Sequence, residues 1–300
     1  MKRILFLAVV LALIGGLLWL GRGRAKTRIG QAAAVGPKIV VSGYVPYTLT
    51  RQIATDHAEI LMLLPPGAEP HSFEPTPGAL IALQQADAFI YVSDELEPWA
   101  ADLAKTVGEK TRVLPLGKLI RPDEDPHVWM DFEKTELMAY QIAALLAEIA
   151  PQNRAVTDKN WEDFNAQLGA LKQDFQSQLA HCKYKEAVHI GHLAFKNLLT
   201  PYGIKLTALS GSAHEGEHSA KKLAQLVGEI KAQKLPAVFT EEVISPRLAQ
   251  TVAVETGAEI LPLYSVEHIS KEDFDNRVTY IDFMRRNLDS LKRGLVCQAS

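Results

Sequence analysis

RAVTDKNWEDFNAQLGALKQDFQSQLA, residues 154–180, is the stretch on which the fold turns. Its apolar side chains recur at three- and four-residue spacing, the repeat of one buried helical face. No proline interrupts it. At ~1.5 Å per residue such a helix runs for roughly 40 Å. Phe132 to Ala150 shows the same spacing just upstream, parted from it around Pro151. A helix of that length, with strand-like runs on both sides of it, bridges two lobes.

Working outward, the chain alternates in period on either side. Before it, KIVVSG (38–43), AEILMLL (58–64) and DAFIYVS (87–93) read as buried strands. PYTLTRQIATDH (46–57), TPGALIALQQA (76–86) and ELEPWAADLAKTV (95–107) read as helices, the second opened by Thr76 as N-cap and Pro77 in its first turn. After it, EAVHIG (186–191), KLTALS (205–210), PAVFTEE (236–242) and EILPLYS (259–265) read as strands. Helical segments AFKNLLTPYG, SAKKLAQLVGEIKAQ and SPRLAQTVAVETG separate them, and TYIDFMRRNLDSLKRGL (279–295) closes the chain. Strand–helix alternation means βαβ units and parallel sheets. The expected fold is therefore α/β: two lobes, each a mainly parallel sheet with flanking helices, joined by a long rigid helix. The boundaries are 36–150 for the first lobe, 151–181 for the linking helix and 182–300 for the second. A single continuous α/β domain is the competing arrangement.

The 300 residues are enough to bury sizeable cores, and 47% hydrophobic with 22% charged content is ordinary for a globular protein. A formal charge of −3 without any lysine/arginine block gives no sign of a nucleic-acid partner. The N-terminus is different. Lys2 and Arg3 precede an uncharged run from Ile4 to Leu20, and Arg22, Arg24, Lys26 and Arg28 follow, then Ala32-Ala33-Ala34. Residues 1–35 read as an export signal or an N-terminal membrane anchor, with both fates open. No cysteine lies near the end of the apolar run to carry a lipid. Cys182 and Cys297 are the two cysteines, and an exporting compartment permits a bridge between them.

Chemistry concentrates in three short motifs, each built on one histidine: GAEPHSFEPTP around His71, DPHVWMD around His127 and GHLAF around His192. Each stands where a strand gives way to a loop or helix. In α/β units such loops meet at the carboxyl edges of the sheets. Three neutral imidazoles converging there make a transition-metal site, most naturally for Zn²⁺. Pro70 and Pro75 stiffen the first loop. Glu69 and Glu74 beside His71, and Asp125 or Asp131 beside His127, are candidates to orient the rings from behind. His189 shares the segment HIGH with His192, but on a strand it faces away and reads as structural.

PPGAEPHSFEPTP, DPHVWMD, HIGHLAF and the closing VTYIDFMRRNLDSL, taken together and in this order, resemble the signature segments of one family. It is that of the zinc- and manganese-specific solute-binding proteins of bacterial ABC importers, and the similarity runs from Lys38 to Leu291. The resemblance implies His71, His127 and His192 as metal ligands, and Zn²⁺ with Mn²⁺ as the alternative ion. It further implies capture outside the inner membrane, in the periplasm, and delivery to an inner-membrane ABC permease by a monomer that is not an enzyme. Cell adhesion by a protein of the same fold differs in partner rather than in chemistry.

One position departs from that pattern. Where many members carry an aspartate ligand, LPLYSVEH (261–268) places Tyr264. Water, Glu267, His268, Glu241 or Glu69 are the open choices for the fourth ligand, and three nitrogens lean toward zinc over manganese. GSAHEGEHSA adds His214 and His218 in a loop, read either as a weak metal collector or as a solvated loop. The reading from another class is a metal-dependent hydrolase or lyase on the same three histidines. Against it, the chain carries no GxSxG, Walker A, HExxH or dinucleotide motif.

Overall fold

The structure, a computed structural model, describes residues 36–119, 125–211, 220–241 and 246–298. The apolar run 4–20 and the His214/His218 loop lie outside the described residues. None of the described helices is long and apolar enough to cross a membrane.

The first sheet is built from β1 (Lys38–Val41), β2 (Glu59–Met62), β3 (Ala88–Tyr91) and β4 (Arg112–Pro115), all parallel, in the order β2-β1-β3-β4. The second repeats that order with β5 (Glu186–Ile190), β6 (Lys205–Ala208), β7 (Ala237–Thr240) and β8 (Glu259–Pro262), as β6-β5-β7-β8. Burial follows position in the sheet. β3 is buried at every residue, as a strand covered on both faces must be, whereas the edge strands β2 and β4 are half open. β4 is the strand that pattern reading passes over. RVLP is four residues long, exposed on its first two, and follows a charged turn, so it carries neither alternation nor an apolar run.

Helices α1 (Tyr44–Ala54), α2 (Pro77–Gln84) and α3 (Pro98–Ala104) complete the first lobe. α4 (Phe132–Ile149) and α5 (Arg154–Leu179) form the helical layer between lobes. In the second lobe α6 (Lys196–Leu199), α7 (Ala220–Gln233), α8 (Pro246–Thr256) and the short α9 (Lys271–Asp275) lead to α10 (Tyr280–Gly294). α4 begins at Asp131, whose carboxylate caps the amides of Glu133 and Lys134. α10 begins at a Thr279/Asp282 capping box.

α5 is continuous for 26 residues and buries one stripe, Thr157, Phe164, Leu168, Leu171, Phe175 and Leu179. The joint between lobes is broader than this one helix. α10 packs on α5 and α1 as well as on β7 and β8. The Tyr280 amide donates to Thr48 Oγ1 (3.1 Å), and the Tyr280 hydroxyl donates to the Trp129 carbonyl (2.8 Å). Residues of both lobes, from Ile39 to Leu295, share one hydrophobic cluster. Just before β5 a disulfide joins Cys182, just after α5, to Cys297, just after α10.

Candidate metal centre

In each sheet the chain leaves the first strand toward one edge and returns to the other side, so a crevice opens beyond the carboxyl ends of the two central strands. His192 lies two residues beyond β5 and Glu241 directly beyond β7, which puts both at that crevice in the second lobe. The first lobe supplies His71 from the loop after β2 and His127 from the segment before α4.

The loop carrying His71 is fastened at several points. Gly67 turns it with φ +83°, a conformation that favours glycine, and the Gly67 amide donates to the Ile269 carbonyl of the second lobe (3.0 Å). Trp99 Nε1 donates to the Pro70 carbonyl (2.7 Å), and Phe73 packs edge-on against the Trp99 ring. Glu69 accepts the His71 amide (3.2 Å), and Glu74 is exposed. The His71 ring faces the other site residues, with its Nε2 2.8 Å from Glu267 Oε1.

His127 is wholly buried. Asp125 Oδ1 accepts from its amide (3.1 Å) and lies 2.7 Å from Nδ1, so the tautomer with a proton on Nδ1 turns the Nε2 lone pair inward. Of the two aspartates proposed for this task from sequence, Asp125 performs it and Asp131 caps α4. Trp129 beneath the loop donates to the Ser265 carbonyl (2.7 Å), and Asn197 donates to the His127 carbonyl (3.1 Å), so the second lobe holds this segment too. His192 repeats the device. Its Nδ1 lies 2.7 Å from Glu241 Oε1, which also accepts the His192 amide (2.8 Å). His189 turns to the His192 carbonyl (3.0 Å) and stacks edge-on with Phe195, a structural placement.

The result is a convergence of four side chains. His71, His127, His192 and Glu267 present ligand atoms that all lie within 4.8 Å of one another. His127 Nε2 and His192 Nε2 are 3.1 Å apart, and Glu267 Oε2 is 3.4 and 3.3 Å from them. Ligand atoms on a tetrahedral ion with bonds of ~2.0–2.1 Å stand ~3.3 Å apart, so these spacings suit one Zn²⁺. Without an ion, the charge is balanced internally. Burial works against ionising Glu267, but the three imidazoles around it hold it well below the usual carboxylate range. Burial likewise opposes protonating His192, yet Glu241 and Glu267 raise it to about 10, and Glu241 itself, despite burial, is drawn down to about 2 by His192 and His189.

Among the alternatives for a fourth ligand, Glu267 is the one that reaches the three histidines. Glu241 stands behind His192. Tyr264 packs on Phe283 and under Arg286, with its amide donated to Asn287 (2.7 Å). Sequence leaves both glutamates among several candidates for the fourth ligand without separating them, because Glu267 lies three residues past the position that resembles the family's aspartate, and because an acidic residue after a strand is common. The one available signal for Glu241 was its place immediately after β7, a strand beside the crevice.

Residues 39–294 match the family described as the periplasmic zinc-uptake complex component A, ZnuA. The chain belongs to that family. It is 31% identical to the high-affinity zinc uptake system protein ZnuA of Bacillus subtilis, over 92% of this chain and 93% of that protein. Among solved structures, the Zn(II)-bound ZnuA-like domain of Streptococcus pneumoniae AdcA superposes with a TM-score of 0.76 at 30% identity, over 87% of this chain and 99% of that one. The whole AdcA lipoprotein is longer, and the alignment spans 55% of it. The laminin-binding protein Lmb of Streptococcus agalactiae, described as having both adhesin and metal-transporting activity, gives a TM-score of 0.79 at 29% identity, over 87% of this chain and 100% of that one.

Proposed function

We propose that His71, His127, His192 and Glu267 bind one Zn²⁺ between the lobes, and that the protein carries it to an ABC importer in the inner membrane. Family membership makes the chain a solute-binding component of zinc uptake. The observation that carries the site assignment is the convergence of four ligand atoms from four separate loops, with two of the imidazoles locked from behind by Asp125 and Glu241. Three nitrogens and one carboxylate suit zinc better than manganese, which prefers a harder, oxygen-rich set. Four protein ligands also close the tetrahedron. A catalytic zinc keeps a position for water, so this set favours capture over hydrolysis or hydration.

Release must then come from separating ligands contributed by different lobes, a task for the membrane partner. The protein acts outside the inner membrane as a monomer, either free or tethered by residues 4–20. The laminin-binding neighbour supports adhesion as a second use of the same fold, and immobilised laminin failing to retain the zinc-loaded protein would remove it. The capture reading is tested by competition titration against a chelator of known affinity. One tight Zn²⁺ per chain, lost in His127→Ala, is expected. A tight site that survives His127→Ala contradicts the assignment.

A further inference from the structure

Glu267 belongs to two groups at once. Besides the three histidines, it stands with Glu69 and His268, and the ligand atoms of this second trio also lie within 4.8 Å of one another. The trios differ in depth. The Glu267 and His268 side chains are 2% and 5% exposed, whereas Glu69 is 37% exposed. Of the four inner ligands, His71 is the least buried, with its side chain 13% exposed, and it is the one whose amide Glu69 accepts. Glu69, His268 and Glu267 thus form a graded path from solvent to the buried ligands, on the side of His71.

The chemistry of that path suits a divalent cation. Glu69 Oε2 lies 3.8 Å from His268 Nε2, and its other oxygen receives the His71 amide, so one carboxylate touches both the His71 loop and the loop of the second lobe. The Gly67–Ile269 backbone bond keeps those loops together. Two carboxylates and an imidazole offer oxygen and nitrogen donors that zinc accepts. The Glu69–His268 pair stands 3.8 Å apart, wider than the ~3.3 Å of a tetrahedral shell, and Glu69 is open to solvent, so an ion here would keep water and bind less tightly than at the inner site.

We propose that Glu69 and His268, sharing the Glu267 carboxylate, form a second and weaker Zn²⁺ position at the mouth of the site, through which the ion passes to the buried histidines. The proposal rests on the reading of the inner four residues as the zinc site. Glu267 is the pivot: its two oxygens allow it to contact an ion at the mouth and then one within.

The experiment uses the full chain in a His214→Ala/His218→Ala background, so that those loop histidines contribute no equivalent. Zn²⁺ is titrated calorimetrically, and loading is followed by stopped flow against a fluorescent chelator. The parent should bind one tight and one weaker equivalent. Glu69→Gln and His268→Gln should each lose the weaker one, keep the tight one, and load ~10-fold more slowly, since each removes a donor at the mouth and Glu69→Gln also removes a focusing charge from the cleft. A parent that binds only one equivalent overturns the proposal, as do unchanged second equivalents and loading rates in both variants. Glu69 is partly exposed, so its variant keeps the test valid should His268→Gln misfold. His127→Ala separates the two claims: retention of tight binding there defeats the inner-site reading itself, whereas its loss together with an unaltered Glu69→Gln defeats only the path.

Discussion

Single atoms decide how well the histidines are aimed. A Cβ on Gly191 would stand 2.1 Å from Glu241 Oε1 and 2.5 Å from His189 Cε1. Gly191→Ala must therefore displace the carboxylate that orients His192. We expect it to weaken zinc binding by ~10–100-fold, the usual cost of losing an outer partner of a metal-binding imidazole. Glu241→Gln should give a loss of similar size, and wild-type affinity in either variant would refute the aiming role. Protons compete with the ion at the same rings. His192 is raised to about 10 in the metal-free protein, so at neutral pH zinc must displace a proton from it. Affinity should rise ~10-fold per pH unit for each proton released, from near the reference histidine value of ~6.5 up toward 10. Calorimetry in buffers of different ionisation enthalpy counts the protons, and a pH-independent affinity from 7 to 9 would contradict this. The sign reverses for metal-free stability. The raised His192 stabilises fully below its unfolded value and loses that contribution as pH climbs through 10, while the depressed Glu241 contributes above its ordinary value of 4.5 and fades as pH falls toward 2. Zinc should consequently raise the melting temperature more at pH 8.5 than at pH 6.5.

At the scale of elements, what was legible in sequence tracks how strongly a segment is buried on a regular face. The apolar runs of the central strands β1, β3, β5 and β7 announced them, and those of the edge strands β2, β6 and β8 sufficed as well. The edge strand β4 and the five-residue α9 bury too little for a pattern to form. Motif spacing pointed to His71, His127 and His192, but Glu267 follows Val266, whose φ of +63° is rare for a β-branched residue and aims the next side chain in a way no propensity encodes. The disulfide was legible only as a permission, since the meeting of the α5 and α10 ends is a tertiary fact. It closes 115 residues, and a loop of that length suggests ~4–5 kcal/mol of stabilisation in the chain-entropy picture. Cys182→Ser/Cys297→Ser should lower the unfolding free energy by that order and leave zinc affinity unchanged, because the bridge sits before the second sheet's first strand and His192 and Glu267 beyond the carboxyl ends of its strands. A large loss of zinc affinity would show that the two ends are coupled.

For the whole molecule, the linking layer sets what zinc can move. α5 is unbroken over 26 residues, and α4 and α10 pack along it. A straight helix of several turns bends only gently without a kink, and Gly169 is the weakest point in this one. Hydrogen bonds from Trp129 to Ser265, Asn197 to His127 and Tyr280 to Trp129 also cross between lobes close to the site. Small-angle scattering of metal-free and zinc-loaded protein should give nearly superimposable curves, with changes confined to the ligand loops. A shift of several ångströms in radius of gyration would refute the rigid joint. The length and apolar stripe of α5 made the two-lobe plan readable, whereas the return of α10 across both lobes was not, since its periodicity says which face is buried but not against what. The central claim, one zinc held by three histidines and a glutamate, is tested most directly by anomalous diffraction at the zinc edge from crystals of protein loaded with a single equivalent. The account predicts one peak, ~2.0–2.1 Å from a ring nitrogen of each of His71, His127 and His192 and from a carboxylate oxygen of Glu267; a peak held by a different set, or with Glu267 replaced by water, would contradict it.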